Sequence, residues 1–501
     1  MPQHPTGRAT LAVLGFGAIT ATLVQTAVVP LLPDLPRLTH SSAADVGWVV
    51  TVTLLTGAIA TPVLGRAGDM VGKRPMLLAA LGALTAGSLA CALTSDLGVL
   101  LAGRALQGVG AAVIPLSISL LRDVLPRERI GSAVALMSST VGIGAAVGLP
   151  LAALLVQYAD WHLMFWATTA LAALATALAW RLVPRSAPGA AGRFDVPGAL
   201  GLAVALTCVL LAVSKGGDWG WTSTRIAGLL AATLLVGAGW TRRQLRTAEP
   251  LVDLRLTLRP AVALPNLAAL LAGFSFYANS LVTAQLVQAP RATGYGLGLG
   301  VAAAGLCLLP SGVLMVAFAP LSARISAARG ARITLAAGAL VIAMGYLLRI
   351  ADSRQLVAVI GGAAVVSVGT ALAYSALPTL IMRAVPQQQT AAANGLNVLM
   401  RTIGQALCSA VVAAVLAHSL VSTGTAGAGI VTAPTLNGYR TAFAIACAVA
   451  LLACVAACTI PREHPDVETP AGSGAAAQPA TASPGTVPPT TVQPTAAEES
   501  T

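Results

Sequence analysis

Charge is scarce in this 501-residue chain: Asp, Glu, Lys and Arg make up 9% of it, against roughly 25% in ordinary soluble domains. That scarcity excludes a soluble multidomain enzyme. Aromatic residues reach only 4%, and stretches such as 77–92 and 336–348 are apolar all round. A transmembrane β-barrel, which needs alternating segments of about ten residues, is excluded as well. The seven cysteines (Cys91, Cys208, Cys307, Cys408, Cys447, Cys454 and Cys458) lie within apolar runs without metal-site or disulfide-framework spacing. They read as small core side chains. The histidines at 4, 40, 162, 418 and 464 are isolated, and the chain has neither paired catalytic groups nor a Walker-type phosphate loop. An enzyme and an ATP-driven pump are thereby excluded, and no metal or cofactor is expected. The net charge of +12 is dispersed between apolar segments rather than gathered on one solvated face, so nucleic acid is not an expected partner.

Apolar runs of about 20 residues, the length a helix needs to cross a bilayer, occupy the sequence instead. Breaks at Pro, Gly and charges place helices near 11–33, 47–65, 75–94, 98–121, 132–157, 162–182, 197–214, 225–241, 261–288, 297–321, 331–350, 355–382, 393–418 and 439–460. The reading is an all-α polytopic membrane protein with fourteen transmembrane helices. Residues 1–10 precede a six-helix unit (11–183), a linker with two further helices (184–260) and a second six-helix unit (261–460). The first run has no small-residue cleavage site and reads as a retained helix. Residues 461–501, rich in Pro, Ala, Thr, Ser and Glu, read as a disordered tail.

Of the 29 Lys and Arg residues, 20 fall in loops on the amino-terminal side and seven in the opposite loops, with Arg104 and Arg401 inside spans. By the positive-inside rule both termini are expected in the cytoplasm. All seven tryptophans fall near predicted span ends, the headgroup level that indole favours.

The loop after the second helix reads Gly65-Arg66-Ala67-Gly68-Asp69-Met70-Val71-Gly72-Lys73-Arg74. On its residues alone it is either an ordinary positive-inside turn or a latch. In a latch, glycine permits close helix approach, Asp69 caps a neighbouring helix terminus, and Lys73 and Arg74 pair across a cytoplasmic seam. Gly65, Asp69, Gly72 and Arg74 resemble the first-loop signature of the major facilitator superfamily. Arg104-Ala105-Leu106-Gln107-Gly108 in the fourth helix resembles the family's second signature. The fifth helix carries Gly142, Gly144, Gly148 and Pro150, similar to the family's antiporter face, with Leu149 and Ala152-Ala153 departing from it. The six, two, six arrangement, Asp195-x-x-Gly198, Trp219-Gly-Trp221 and Asn394-x-x-Asn397-x-x-x-Arg401-x-x-Gly404 look like the fourteen-helix drug:proton antiporter branch. The resemblance covers about residues 10–460. It implies the major-facilitator fold, two six-helix bundles plus two inserted helices, with a central cavity and alternating access. The corresponding loop of the second half, Ser322 to Arg332, keeps its bases and has no acid.

None of the seventeen acidic residues sits mid-span. Where the resembled branch usually carries an Asp in its first helix, this chain reads Leu23-Val24-Gln25-Thr26. An embedded acid would serve as both proton carrier and countercharge, so the expected substrates are neutral or anionic amphiphiles. Arg104 lies about 9 Å below the outer end of its helix at 1.5 Å per residue. It either snorkels to the interface or faces the cavity opposite a titrating group, with Asp34 the nearest candidate by depth. Arg104, Gln107, Gly108 and Asp34 are therefore the coupling candidates. Polar side chains near span centres nominate Gln25, Tyr277, Asn279, Gln285, Tyr374, Asn397 and Gln405, with Arg401, as cavity lining or as helix-to-helix hydrogen bonds. The expectation is a plasma-membrane secondary transporter, working as a monomer, that exports hydrophobic small molecules on the proton gradient. The alternatives are an importer or uniporter of the same fold, or a receptor that does not transport.

Overall fold

The computed structural model describes residues 5–28, 31–32, 34–158, 160–185, 193–423 and 431–461. Almost all of the expected tail, 461–501, lies outside them, as do residues 186–192 of the linker. The long helices are α1 (Pro5–Ala27), α2 (Trp48–Val71), α3 (Lys73–Ala92), α4 (Leu97–Val124), α5 (Arg127–Tyr158), α6 (Trp161–Leu182), α7 (Val196–Trp219) and α8 (Thr224–Arg246). After them come α9 (Pro260–Gln288), α10 (the segments Val301–Cys307, Leu309–Ala317 and Ala319–Arg329), α11 (Ala331–Ala351), α12 (Leu356–Ala384), α13 (Thr390–Ala417) and α14 (Leu436–Thr459). Among the described residues thirteen helices are long and apolar enough to cross a membrane, and α5 is a further helix of 32 residues. Several begin where a side chain can take an orphan N–H of the first turn. Asp96 accepts from Val99, Asp195 from Gly198, Ser223 from Ile226 and Thr435 from Gly438.

Burial sorts the helices into groups. α1 packs on α5 and α6, α3 on α4 and α6, and α2 on α4. Among the later helices, α9 packs on α12, α13 and α14, and α11 on α12 and α14. The two groups meet where α2 and α4 touch α13 and where α5 touches α10 and α12. α7 pairs with α8 and rests on both α2 and α13. Its Leu202, Leu206 and Leu210, one turn apart on one face, pack with Ala58, Leu396 and Leu399.

Local chemistry explains where the helices depart from the sequence reading. The first helix starts at Pro5 and ends at Ala27, six residues short of the expected end, ahead of the prolines at 30 and 33. A 3-10 turn at Gly110–Ala112 interrupts α4. Breaks at Leu308 and Phe318 divide α10 just before Pro310 and Pro320, which supply no N–H to the helical ladder. Between α13 and α14 a two-stranded antiparallel hairpin appears, β1 (Leu420–Thr423) and β2 (Val431–Pro434), with Leu420 opposite Pro434. Lys215, expected in a loop, is taken into α7 and buried, and Arg349, at the outer end of the expected 331–350 helix, is buried rather than exposed. Aromatic faces cover their charge: Lys215 sits 5.4 Å over Trp48 and Arg349 3.9 Å over Phe443.

The inserted pair is fixed at its base by Asp195. Its carboxylate accepts from Gly198 N–H (2.9 Å), the Gln244 amide (2.7 Å) and Arg243 Nη2 (3.0 Å). Gln244 Oε1 in turn accepts from Val252 N–H, and Trp240 Nε1 donates to the Gly198 carbonyl. Burial opposes ionisation of Asp195, yet the bonds from Gly198, Gln244 and Arg243 outweigh it and hold the carboxyl below its ordinary range. Asp195→Ala should therefore lower stability by about 2 kcal/mol, the cost of orphaned donors discounted for the half-exposed Arg243. A fall of a few degrees in melting temperature is the expected result, and an unchanged melting curve would refute the assignment. The contribution is present above the ordinary carboxyl range and is lost as pH falls through the depressed pKa.

Candidate functional site

The loop singled out in the sequence lies at the contact between the two helix groups. α2 and α3 are separated by Gly72 alone, whose φ of 114° an L side chain rarely adopts. That one-residue turn brings Asp69 and Lys73 to the same seam. Asp69 is 2% exposed, and its carboxylate accepts from the backbone N–H groups of Ala391 (3.2 Å) and Ala392 (2.8 Å). These amides belong to the first turn of α13, where N–H groups have no intrahelical acceptor and the helix dipole favours an anion. Lys73 is buried and pairs with Asp123 at 2.7 Å. It also donates to the Ser119 carbonyl (3.3 Å) and to Thr390 Oγ1 (3.4 Å). Gln387 donates to Asp123 across the same seam at 3.4 Å. Glycine sets the approach: a Cβ at Gly65 would stand 2.7 Å from the Ala391 carbonyl oxygen, and one at Gly395 2.7 Å from that of Thr61.

Arg74 takes a different direction from the one expected of it. It donates to the Trp180 carbonyl of α6, within its own helix group, because it projects from α3 toward the helix packed beside it. Arg332 repeats this arrangement in the second group, donating to the Cys458 carbonyl of α14. The turn before it is again a single glycine, Gly330, with φ of 87°.

Arg104 is 1% exposed and does not face an open cavity. Its guanidinium donates to the carbonyls of Val49 on α2 (3.3 Å) and Val24 on α1 (3.2 Å), and to Gln107 Oε1 (2.6 Å). Gln107 Nε2 then donates to Ser88 Oγ of α3 at 3.0 Å. Four helices are thereby tied around one cation. Gly108 lets α4 close on α2, since a Cβ there would collide with Thr56 Oγ1 and the Thr53 carbonyl. Asp34 is not brought to Arg104. It is exposed, at the start of the short helix Leu35–Leu38 that follows α1.

Small residues of α5 do bring helices together. Gly144 and Gly148 face Thr22 and Thr26 of α1, and Thr26 Oγ1 donates to the Gly144 carbonyl at 3.4 Å. Gly142 instead meets Met315 of α10 across the seam. The side chain of Pro150 lies outside the described residues.

The cavity candidates divide. Asn279 is committed inside the second helix group, accepting from Arg349 (2.8 Å) and donating to the Ala363 carbonyl (3.2 Å). Tyr277 packs against the same core, and Gln25 and Gln405 are half-buried while Gln285 is exposed. Tyr374, Asn397 and Arg401 do converge. The Arg401 guanidinium lies 4.6 Å over the Tyr374 ring, and Asn397 donates to Asn266 Oδ1 at 3.1 Å. Ser138 of α5 donates to the Tyr374 carbonyl at 2.9 Å. Asn397 and Arg401 share a small void of about 10 Å³ with Asn394 and with Ile114, Pro115 and Ser138 of the first group. Asn394 escaped the sequence reading as a lining residue, as did Arg349 and the partnership of Asp123 with Lys73. No local spacing links Asp123 to a lysine 50 positions away, and Arg349 sat at a predicted helix end.

Known proteins resemble this chain in sequence and in fold. The Major Facilitator Superfamily family model matches residues 14–409. The multidrug resistance protein Stp of Mycobacterium tuberculosis is 30% identical over 420 residues, 83% of this chain and 76% of that protein. The tetracenomycin C resistance and export protein of Streptomyces glaucescens is 30% identical over 62% of this chain and 57% of its own length. Among solved structures, the human organic anion transporter MFSD10 (TETRAN) shares the fold, with a TM-score of 0.64 at 17% identity, covering 91% of this chain and 100% of that one. Family membership makes the protein a multi-pass membrane transporter and not an enzyme: the chain belongs to the major facilitator superfamily.

Proposed function

We propose that the chain exports hydrophobic small molecules across the plasma membrane in exchange for protons, by alternating access between its two six-helix groups. The observation that carries this reading is the closure of one end: Asp69 on the α13 amides, with Lys73, Asp123 and Gln387 beside it. That end carries most of the loop arginines, which makes it the cytoplasmic one. The described conformation is then the state sealed toward the cytoplasm, and both termini are cytoplasmic. The names of the Stp and tetracenomycin C relatives support drug or secondary-metabolite export as the substrate class.

The test is efflux from cells expressing the chain, measured with a hydrophobic dye or antibiotic panel. Efflux should collapse when the proton gradient is dissipated and resume when it is restored. Efflux indifferent to the gradient would remove the antiport assignment, and uptake in the same assay would replace export with import.

A further inference from the structure

The contact between the helix groups contains buried polar atoms with no partner, and they are mostly donors. Among the described residues Asn394 has both Nδ2 and Oδ1 unpaired at 2% exposure, and Asn266 Nδ2 and the Tyr374 hydroxyl are also buried and unpaired. Each such group costs about 1–3 kcal/mol if left so, and native chains keep few of them. Arg401 adds a guanidinium that is covered by the Tyr374 ring, and no ion pair to it is found among the described residues. These groups are not scattered. At 1.5 Å per residue, Asn394, Asn397 and Arg401 stand about 6, 10 and 16 Å into α13 from its first residue. Asn266 is hydrogen-bonded to Asn397, and Tyr374 lies under Arg401. The void lined by Asn394, Asn397 and Arg401, about 10 Å³, admits at most one water, and Asn266 and Tyr374 stand directly behind it through these contacts. The unpaired donors can therefore be satisfied by a solute only when the two groups separate.

We infer that Asn394, Asn266, Tyr374 and Arg401 form the recognition site for an anionic oxygen group, a carboxylate or ionised phenol, on the transported molecule. Donor excess sets the sign. A guanidinium, two amide N–H₂ groups and a phenol O–H call for a ligand that brings acceptors, and charge-assisted bonds are roughly twice as strong as neutral ones. A cationic ligand would meet Arg401 with no carboxylate paired to it among the described residues, a repulsion felt strongly away from water. The apolar body of such a ligand has Ile114 and Pro115 on the facing wall. This inference rests on the transporter reading but on neither its direction nor its proton coupling.

Binding to the purified full-length chain in lipid nanodiscs separates the two. Three fluorescent probes share one apolar body: 1-pyrenebutyrate, its methyl ester, and a pyrenebutyl trimethylammonium. The carboxylate should bind about tenfold more tightly than the ester and still more tightly than the ammonium. Arg401→Gln should erase the difference between carboxylate and ester. Asn394→Asp, which keeps Arg401 but adds an acid, should weaken the carboxylate and strengthen the ammonium probe. Equal binding of all three probes to the wild type, no saturable carboxylate binding, or a carboxylate preference that survives both substitutions would overturn the inference. A retained preference without gradient-driven efflux would leave the site standing and remove only the antiport reading.

Discussion

Asp69→Asn is expected to slow transport about ten- to a hundredfold while the chain remains inserted. The carboxylate accepts two first-turn amides of α13 from a site 2% exposed. Hydrogen bonds to a charged acceptor contribute about 1.5–3 kcal/mol, and an anion at a partly buried helix N-terminus up to about 2 kcal/mol. Asparagine keeps one acceptor and loses the charge, so the sealed state should weaken by about 1.5–3 kcal/mol. At about 1.36 kcal/mol per factor of ten, that displaces the conformational equilibrium by one to two decades. Transport requires both states in turn, so over-populating the open one costs turnover. The displacement can be read directly from the labelling of a cysteine at Val398 (Val398→Cys), beside the closed void, by a polar maleimide. Labelling should accelerate in the Asp69→Asn background. Wild-type turnover with unchanged labelling would refute the latch. Gly65→Val supplies an independent route to the same result, since a Cβ at that position already overlaps the Ala391 carbonyl.

Asp69 could be singled out because the signal around it is local in sequence: a glycine-bounded loop, one acid and a basic pair within ten residues. Its acceptor geometry was not, because Ala391 and Ala392 contribute only backbone N–H groups, and any residue but proline would offer them. The same limit governs the rest of the site. Arg74 stands beside Lys73 in sequence, yet the helix geometry sends one to α6 and the other to the seam. Helix count and spacing were readable from apolar runs, while the ends were not. α7 runs on through Lys215, and Arg349 is buried at the end of α11, because Trp48 and Phe443, distant in sequence, cover those charges. Asn279 looked like cavity lining by depth alone. Its setting is determined by Arg349, whose burial depends on the distant Phe443 ring and on no local pattern.

Arg104→Met should reduce transport about a hundredfold or more without lowering the melting temperature. A buried cation that no described carboxylate pairs with is costly to keep, and replacing buried charge by an apolar side chain of similar volume is often neutral or stabilising. Two of its three acceptors, the Val24 and Val49 carbonyls, lie within helices, so methionine would leave chiefly Gln107 Oε1 without a donor. Stability alone therefore does not account for the residue. What methionine removes is the hydrogen-bonded tie from α4 to α1 and α2, and the expected loss of transport follows if the three helices rock as one unit. Two charge-assisted bonds at about 1.5 kcal/mol each correspond to roughly a hundredfold in the population of the coupled arrangement. Arg104→Lys separates charge from geometry. An ammonium keeps the charge but lacks the planar fork that reaches two helices and Gln107 together, so it should recover only a minor fraction of the wild-type rate. Full recovery by lysine would make Arg104 a matter of charge alone. Normal transport by the methionine variant would reduce it to a packing residue.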